Sequence, residues 1–458
     1  MNWSETRFTA RAILPATAML LAGASVWPAS IEQLIVHHES RASISFPSRP
    51  SGTAQSLCSR GEWTPPMTAF RRTAGANPTA QVPSIAIDAH QAFIAGNDIM
   101  IFDGRQIVDP PLTVARLGGA LIGRPRGRYN FIRPKIVTDY LGRVHLLWAE
   151  PSKVDKLLTT DEWGGSQLVS IWASMYTPLA GWTLPERVFE GRAFSWPQTH
   201  VWKESLAGND TAKQRHDGGT IALPVALFVP EQNSPVVLLR LQGNRWVVDS
   251  IPNVVPGGKS SPSFGSNGLR EVVAYLAPDP TARRDANSVI VQRSSNGGRT
   301  WSAAMVVSRS GTQPAYDVQV ALGKHGAIHL AWLQSTKGDS GTLRHSVSYD
   351  DAASWSVPDS YEALAPRNEL RTVMDSCGVL HAVFENRTEG GNRSYLEYTT
   401  WADGWQTPSR LFRGWYSMSA ELALSARSEP IIVFMKSTGA PGTESPLETV
   451  YSEYRRRQ

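Results

Sequence analysis

The hydrophobic and polar residues of this chain alternate over short segments that come in pairs. Three such pairs align clearly, at 133–148, 318–332 and 370–384. In each, an alternating segment leads through a glycine-containing turn to a second apolar segment with a histidine and a large terminal aromatic residue. Alternation over about four to eight residues between turn residues predicts an antiparallel hairpin. Weaker copies lie at 84–94, 262–275 and 421–434, and a diverged copy at 197–203 and 221–228.

A second hairpin follows each of these pairs, and a tryptophan marks it. Its pattern is a strand, a polar turn, a tryptophan and often a proline; the tryptophans are Trp182, Trp246, Trp301, Trp355 and Trp405. Each unit then holds four antiparallel strands in roughly 50–60 residues, which is typical of a β-propeller. We predict an all-β fold, a β-propeller of four-stranded antiparallel blades. The copies count to seven blades, and the diverged third copy leaves six as the alternative.

The two ends of the chain are predicted to meet in one blade. The last unit supplies a third strand at 449–454 and lacks a fourth. The segment 61–66 resembles 404–408 in its tryptophan and proline, and it can supply the missing strand. Such an N-terminal strand closes the ring and leaves no exposed sheet edge. We expect one propeller domain over residues 58–458, and a monomer.

The N-terminal segment has the order of features of a signal peptide. Arg7 and Arg11 precede an apolar run at 13–21, and Ala22-Gly23-Ala24 offers small residues for cleavage. The run is shorter than the roughly 20 residues of a membrane-spanning helix, so no membrane span is predicted. We expect residues 1–24 to direct export, either secretion or delivery to a periplasm, and 25–57 to form an extended or disordered leader. An uncleaved leader is the alternative.

The composition fits this fold and narrows the partners. Hydrophobic residues make up 41% of the 458 residues, enough for a sizeable core, and 37 glycines and 31 prolines imply many turns. The net charge of +5 permits an anionic glycan as ligand without requiring one. The sequence has no basic patch interleaved with aromatic residues, so binding to nucleic acid is not predicted. Neither zinc-type His/Cys spacing nor a glycine-rich phosphate loop is present, so we predict no metal and no cofactor.

The polar turn at 294–301, Ser-Ser-Asn-Gly-Gly-Arg-Thr-Trp, and its counterpart at 348–355 share a motif. Both resemble the Asp box (BNR repeat), Ser-x-Asp-x-Gly-x-Thr-Trp, of sialidases and related propellers. Asn296 stands at the aspartate position of the first and Asp350 at that of the second. With the strand repeats, the resemblance covers roughly residues 60–458. It implies a propeller scaffold and leaves the activity open, because Asp boxes occur in hydrolases, lyases and binding proteins.

A second likeness concerns ligand binding. Phe131-Ile132-Arg133-Pro134 resembles the Phe/Tyr-Arg-Ile-Pro motif of sialidases, with the isoleucine and the arginine exchanged. In that family the arginine is one of three that grip the carboxylate of sialic acid. The resemblance therefore implies a substrate-binding role for Arg133. The other two arginines and the tyrosine nucleophile of the family are not matched by motif.

Propeller geometry gathers the remaining candidates at one end of the sheets. First strands start and second strands end around the same mouth, whereas the Asp-box turns lie on the opposite face. Hydrolysis of a glycosidic bond uses two carboxyl groups, and the catalytic candidates are Glu150, Glu231 and Glu385. The substrate-binding candidates are Arg133, Arg371, Tyr316 and Asp317, and the two arginines can fork onto a sugar carboxylate.

The histidines and cysteines divide into structural and chemical candidates. His200 in the irregular third unit is placed to act as acid or base in β-elimination from a uronic acid, as in propeller polysaccharide lyases. One structural position recurs as His145, His329 and His381, which favours packing between blades. Two cysteines, Cys58 and Cys377, are expected to form a disulfide that fastens the closing strand; two separate thiols are the alternative.

Taken together, these features favour an exported propeller that acts on carbohydrate as a sialidase-like exo-glycosidase. Two alternatives stay open. One is a non-catalytic propeller that binds glycans or a protein, and the other is a polysaccharide lyase.

Overall fold

The structure is a computed structural model, and part of the chain is described. The described residues are 61–71, 84–87, 92–95, 98–102, 112–113, 135–138, 143–153, 166–177, 181–194, 222–226, 236–242, 244–251, 262–267, 269–278, 287–309, 313–323, 326–335, 341–363, 370–387, 394–412, 417–425, 428–437 and 447–456. The predicted signal peptide and leader, and the predicted strand at 197–203, lie outside them. No helix in the described part could cross a bilayer.

The elements in these ranges are β-strands that form antiparallel sheets. In chain order they are β1 (Gly61–Trp63), β2 (Met67–Arg71), β3 (Ser84–Ile87), β4 (Ala92–Ala95), β5 (Asp98–Phe102), β6 (Leu112–Thr113), β7 (Lys135–Thr138), β8 (Val144–Lys153), β9 (Ser166–Thr177), β10 (Gly181–Trp182), β11 (Glu186–Phe194), β12 (Ala222–Ala226), β13 (Val236–Gln242), β14 (Arg245–Ile251), β15 (Ser263–Asn267), β16 (Arg270–Pro278), β17 (Asn287–Ser294), β18 (Met305–Ser308), β19 (Ala315–Leu322), β20 (Ile328–Ser335), β21 (Gly341–Ser348), β22 (Asp359–Ala363), β23 (Leu370–Met374), β24 (Leu380–Arg387), β25 (Ser394–Trp401), β26 (Ser409–Arg410), β27 (Ser417–Leu424), β28 (Pro430–Ser437) and β29 (Leu447–Arg456).

Within the described ranges these strands make seven sheets, each following chain order. The first sheet is β3–β6, the second β7–β11, the third β12–β14, the fourth β15–β18, the fifth β19–β22, the sixth β23–β26, and the seventh β27–β29 with β1 and β2. Neighbouring sheets meet through their first strands: β3 contacts β7 and β27, β19 contacts β15 and β23, and β23 contacts β27. The predicted all-β propeller of four-stranded antiparallel sheets is confirmed.

The apolar core lies between neighbouring sheets. Between the fifth and the sixth, Leu333 and Leu343 meet Leu370 and Phe384, all fully buried. The large aromatic residue that ends each repeat in the sequence, Trp332 in the fifth sheet and Phe384 in the sixth, has no exposed surface. Burial of one such side chain contributes about 1.5–3 kcal/mol, so the alternating pattern both forms the strands and joins the sheets.

The N-terminal strands belong to the last sheet. β1 pairs with the C-terminal end of β29, placing Trp63 opposite Tyr454, and β2 pairs with the start of β29. The Trp63 ring meets Tyr398 of the sixth sheet edge-on at 5.1 Å and Tyr454 at 5.5 Å. This is the position in which the sequence places the missing outer strand.

In four of the described sheets, a serine or threonine that follows a tryptophan joins the outer segment to the third strand. Ser356 donates its N–H to the carbonyl of Val347 at 2.9 Å, and its Oγ accepts the Val347 N–H at 3.0 Å. The Ser356 carbonyl accepts a hydrogen bond from Ser346 Oγ at 2.7 Å. Equivalent bonds join Thr183 to 174–175, Ser302 to 292–293 and Thr64 to 452–453. Because Thr64 makes the same bonds, the N-terminal segment is an outer strand like the others.

The two turns predicted as Asp boxes share one hydrogen-bond pattern. Ser294 Oγ accepts the N–H of Gly298 at 2.8 Å, and Asn296 Oδ1 accepts the N–H of Thr300 at 2.9 Å. In the second turn Ser348 and Asp350 fill the same two roles. Burial would raise the pKa of Asp350, but hydrogen bonds from Ser354 and Ser348 outweigh it and lower that pKa.

Left-handed backbone at the fifth position completes each turn. Gly298 has φ of 80° and Ala352 a φ of 62°. Glycine adopts this conformation at little cost, whereas alanine is strained there. A Cβ on Gly298 would also lie 2.1 Å from Nη2 of Arg240, so the first turn requires glycine for space as well.

Ion pairs join the sheets near these turns, and one of them is buried. Arg240 of the third sheet, 2% exposed in its side chain, pairs with the fully buried Glu271 of the fourth. Burial raises the pKa of Glu271 against the opposing effect of Arg240. Arg270 and Arg293 of the fourth sheet both pair with Asp351 in the turn of the fifth.

The three histidines of the shared position are buried, as predicted for a packing role. His145 meets Trp246 edge-on at 5.8 Å, and His381 bonds to Asp375 at 3.2 Å and to the Tyr398 hydroxyl at 2.6 Å. The third, His329, contacts His345 through Nδ1 and Nε2 at 3.0 Å. Burial lowers the pKa of His329 to about 3. Burial, and then the charge of His329, lower the pKa of His345.

Cys377 follows Asp375 in the turn between β23 and β24, and it is disulfide-bonded. Its N–H donates to Asp375 Oδ1 at 2.9 Å. The sequence contains one other cysteine, Cys58, which lies outside the described residues.

We predict that Asn296→Ala lowers the free energy of unfolding by about 1–3 kcal/mol, because it leaves the Thr300 N–H and the Ser294 hydroxyl without their acceptor. Asn296→Asp keeps that acceptor, as Asp350 does in the sister turn, and should change stability by less than about 0.5 kcal/mol. Chemical denaturation of the three proteins measures both values. An alanine variant as stable as the parent would contradict a structural role for this turn.

We also predict that the protein loses stability as the pH falls from about 6.5 toward 3. A histidine whose pKa is lower when folded gains a proton on unfolding, so its stabilisation is full above the unfolded pKa and declines below it. The slope should be on the order of 1 kcal/mol per pH unit for each of His329 and His345. Unfolding free energies at pH 7.5, 6 and 5 test this, with His329→Gln giving a shallower slope. Equal slopes in parent and variant would overturn the assignment.

Candidate functional site

The sequence-predicted site residues divide by what the structure describes. Arg371, Tyr316, Asp317 and Glu385 are described, side chains included. Glu150 lies on β8, and its side chain is outside the description. Outside the described residues lie Arg133, His200 and Glu231. The roles of all eight stay predictions.

A row of buried polar residues runs across the first strands of four successive sheets. Ser263, Gln319, Arg371 and Glu421 each pair with the residue that precedes the large aromatic of the second strand. All four are at most 6% exposed. We call them the polar row. Buried polar groups are stable only when hydrogen-bonded, so the partners of this row indicate what it does.

Arg371 is the cation of the polar row, and carboxylates flank it. Its Nε donates to Glu421 Oε1 of the seventh sheet at 3.4 Å, and its Nη1 lies 4.0 Å from Asp317 Oδ2 of the fifth. The same Nη1 donates to the carbonyl of Leu370 at 2.9 Å. The three charges join three successive sheets at the end where Arg371 and Asp317 were predicted to lie.

Asp317 has an unusual backbone for a strand residue. Its φ is 59°, in the left-handed region, and the register of β19 and β20 shifts at this residue, which marks a bulge. The conformation turns the carboxylate toward the sixth sheet, where Oδ2 accepts the N–H of Leu370 at 2.8 Å. Gln319 Nε2 donates to Oδ1 at 3.3 Å. Left-handed aspartate costs strain, and here contacts on both oxygens retain it.

Tyr316 and Glu385 are half-buried at the same end of the fifth and sixth sheets. Burial, and then the Asp317 carboxylate, raise the pKa of Tyr316. Its hydroxyl therefore keeps its proton at physiological pH and is a hydrogen-bond donor. Glu385 lies near the C-terminal end of β24, opposite Leu396.

A second polar group lies on the sixth sheet. Glu397 accepts a hydrogen bond from Asn386 Nδ2 at 3.0 Å, and Arg410 stacks 3.6 Å from the ring centre of Tyr395. Burial raises the pKa of Glu397, opposed by Asn386 and Arg410. A carboxyl group with a raised pKa is the kind of group that serves as a proton donor.

Sequence reasoning missed Glu421 and Glu397. Glu421 carries a signal in hindsight, because alignment of the repeats places it at the position of Arg371. Glu397 carries none, since its pKa depends on burial and on Asn386 and Arg410, which lie on the two strands beside its own. Within the described ranges, no group of three or more His, Cys, Asp or Glu side chains is arranged to hold a metal ion.

Comparison with known proteins was made against families, curated proteins and solved structures. No protein-family model matches the chain. No curated protein matches it either. Solved structures do: a protein of unknown function from Dyadobacter fermentans has 12% identity and a TM-score of 0.46, over 70% of this chain and 94% of that one.

Two of the other similar structures are glycosidases by name. An α-L-arabinofuranosidase from Fusarium graminearum has 10% identity and a TM-score of 0.42, over 71% of this chain and 92% of its own. A sialidase from Streptococcus pneumoniae has 12% identity and a TM-score of 0.41, over 85% and 70%. At such identities the similarity concerns the fold alone. The antiparallel sheets of the described residues are those of an all-β propeller.

We predict that Arg371→Met lowers the free energy of unfolding by about 3–5 kcal/mol, because it removes the cation that faces two buried carboxylates. Glu421→Gln should cost less, about 1–3 kcal/mol, since Asp317 still faces the guanidinium. A double-mutant cycle by chemical denaturation should give a coupling of at least about 1 kcal/mol. The exposed Arg299→Met is the matched control. Additive effects of the two variants would show that the pair contributes nothing.

Proposed function

We propose that the protein acts on glycans as a glycoside hydrolase, at the end of the sheets that carries Asp317, Tyr316 and Glu385. The observation that carries the proposal is the left-handed Asp317. Strained backbone held in place by surrounding contacts is a feature of functional sites, and so is a bulge in a strand. Export by residues 1–24 belongs to the same proposal, because polymeric glycans lie outside the cell.

The chemistry available at this end supports hydrolysis. Glycosidases use one carboxyl group as an acid and another as a nucleophile or base. Glu385 is half-buried and lies two residues beyond Val383, which is paired with Arg371. Tyr316 supplies a protonated hydroxyl at the same end of the neighbouring sheet. Glu150 and Glu231 are the proposed further carboxylates, with Arg133 as the proposed substrate-binding cation.

A second candidate is a propeller that binds glycans without cleaving them. The observation in its favour is that both charged residues already have partners within the protein. Arg371 donates to Glu421, and Asp317 accepts the N–H of Leu370. Groups fixed in this way hold a scaffold.

The names of the similar structures set the substrates to try first. Fluorogenic sialosides, α-L-arabinofuranosides and other aryl glycosides, together with polysaccharides, should be incubated with the chain while free sugar and unsaturated product are measured. We expect free sugar, and a loss of kcat/KM of about 100-fold or more on Glu385→Gln, the size of a general acid–base contribution. Glu362→Gln, an exposed carboxylate on β22, is the control and should retain activity.

The other outcomes assign the alternatives. Unsaturated product that disappears on His200→Ala would make the protein a lyase. Absence of any product from a folded chain, with retention on a glycan array, would establish the binding propeller. Absence of both product and retention would reject action on glycans altogether.

A further inference from the structure

The substrate class follows from the charge around Arg371. This step rests on the proposed function, since it concerns the sugar that enters the same site. The question is whether the guanidinium is available to an anionic sugar such as sialic acid or a uronic acid. An arginine that binds a ligand carboxylate must present donors that the protein itself does not use.

Arg371 presents little to a ligand. Its side chain is 7% exposed, and the side chains of Asp317 and Glu421 are 1% and 9% exposed. The Nε proton is directed to Glu421 and an Nη1 proton to the carbonyl of Leu370. The guanidinium therefore acts inside the protein, between its own carboxylates, and its planar fork faces groups of this chain.

The charge of the group is negative. Two carboxylates, Asp317 and Glu421, surround one guanidinium, which leaves one negative charge. Of the side chains that the structure describes on the adjoining ends of β24, β28 and β29, Glu385 and Glu448 are negative and Lys436 is positive, so the net charge remains negative. A ligand carboxylate would approach this group against a net negative charge and would lose its hydration there.

We infer that the sugar recognised at this end is uncharged. A neutral sugar can donate hydroxyl protons to the half-buried Glu385 carboxylate and accept from the Tyr316 hydroxyl, whereas a sugar carboxylate has no proton to donate to Glu385 and approaches the net negative charge of Asp317, Arg371 and Glu421. The Asp317–Arg371–Glu421 group thus selects neutral glycans and rejects sialosides and uronides. Arg371 is a positioning residue that holds the two carboxylates.

The test compares neutral and acidic sugars on the full chain. The neutral probes are 4-methylumbelliferyl α-L-arabinofuranoside, β-D-galactoside and β-D-xyloside; the acidic probes are the N-acetylneuraminide and the glucuronide. Turnover, or retention on an array of neutral and acidic glycans if there is no turnover, should favour neutral sugars by at least about tenfold. A preference for the sialoside or the uronide would overturn this inference while leaving the proposed function intact. Neither turnover nor retention of any sugar would reject both.

A charge variant tests the cause of the preference. Glu421→Gln removes one carboxylate and brings the Asp317–Arg371–Glu421 group to neutrality, so binding of acidic glycans should rise by at least about fivefold relative to neutral ones. Glu362→Gln, which removes an equal charge from the exposed strand β22, should leave the ratio unchanged. If Glu421→Gln does not fold, the half-buried Glu385→Gln gives the same test by binding. An unchanged ratio in both variants would show that this charge does not set the selectivity.

Discussion

The whole assembly depends on how the innermost strand of each sheet satisfies its open edge. That strand pairs on one side only, and backbone groups on the other side need partners because they are buried. Buried side chains of the preceding sheet supply them: Ser263 Oγ accepts the N–H of Val320, and Asp317 accepts that of Leu370. The fourth sheet therefore completes hydrogen bonding of the fifth, and the fifth that of the sixth. Apolar burial between the sheets brings them together, but it has no direction, and the polar bonds fix the position of one sheet relative to its neighbour.

At the outer edge of a sheet, the corresponding hydrogen bonds run within that sheet and not between two sheets. The hydroxyl after the tryptophan bonds to the third strand through the backbone, and the tryptophan covers the contact. Since Thr64 repeats the bonds of Ser356, a segment almost 400 positions away in sequence enters the last sheet by the same local chemistry. The N-terminal strand therefore joins the last sheet through the same kind of hydrogen bonds that hold the outer segments of other sheets. This explains why the sequence between the sheets can diverge strongly, as it does in the third unit, while the ends of the chain still meet.

Much of the fold could be predicted because its determinants are local. Each sequence signal falls within a single hairpin: the alternation of apolar and polar residues, the glycine in the turn and the tryptophan after it. The turns at 294–301 and 348–355 are stabilised by their own side chains. The polar row could not be predicted in the same way. Ser263 and Glu421 look like ordinary polar residues of an alternating strand, and their burial appears only when neighbouring sheets close over them. Asp317 is harder still, because nothing in its sequence neighbourhood signals a left-handed backbone. The shared histidine position was predictable as packing, but its partners were not: His329 meets a histidine, and His381 an aspartate and a tyrosine.

The same constraint bears on where chemistry can occur. Charged side chains that satisfy the edge of a sheet are already bonded within the protein. A charged group with two partners in the protein binds a ligand poorly. In this chain the most conspicuous charged residues of the predicted mouth, Arg371 and Asp317, are of that kind. Groups that reach the surface at the same end, Tyr316 and Glu385, are neither part of the polar row nor buried to the same degree. In the proposed site the scaffold therefore sets the electrostatic potential, and contact with a ligand is left to the half-buried Tyr316 and Glu385.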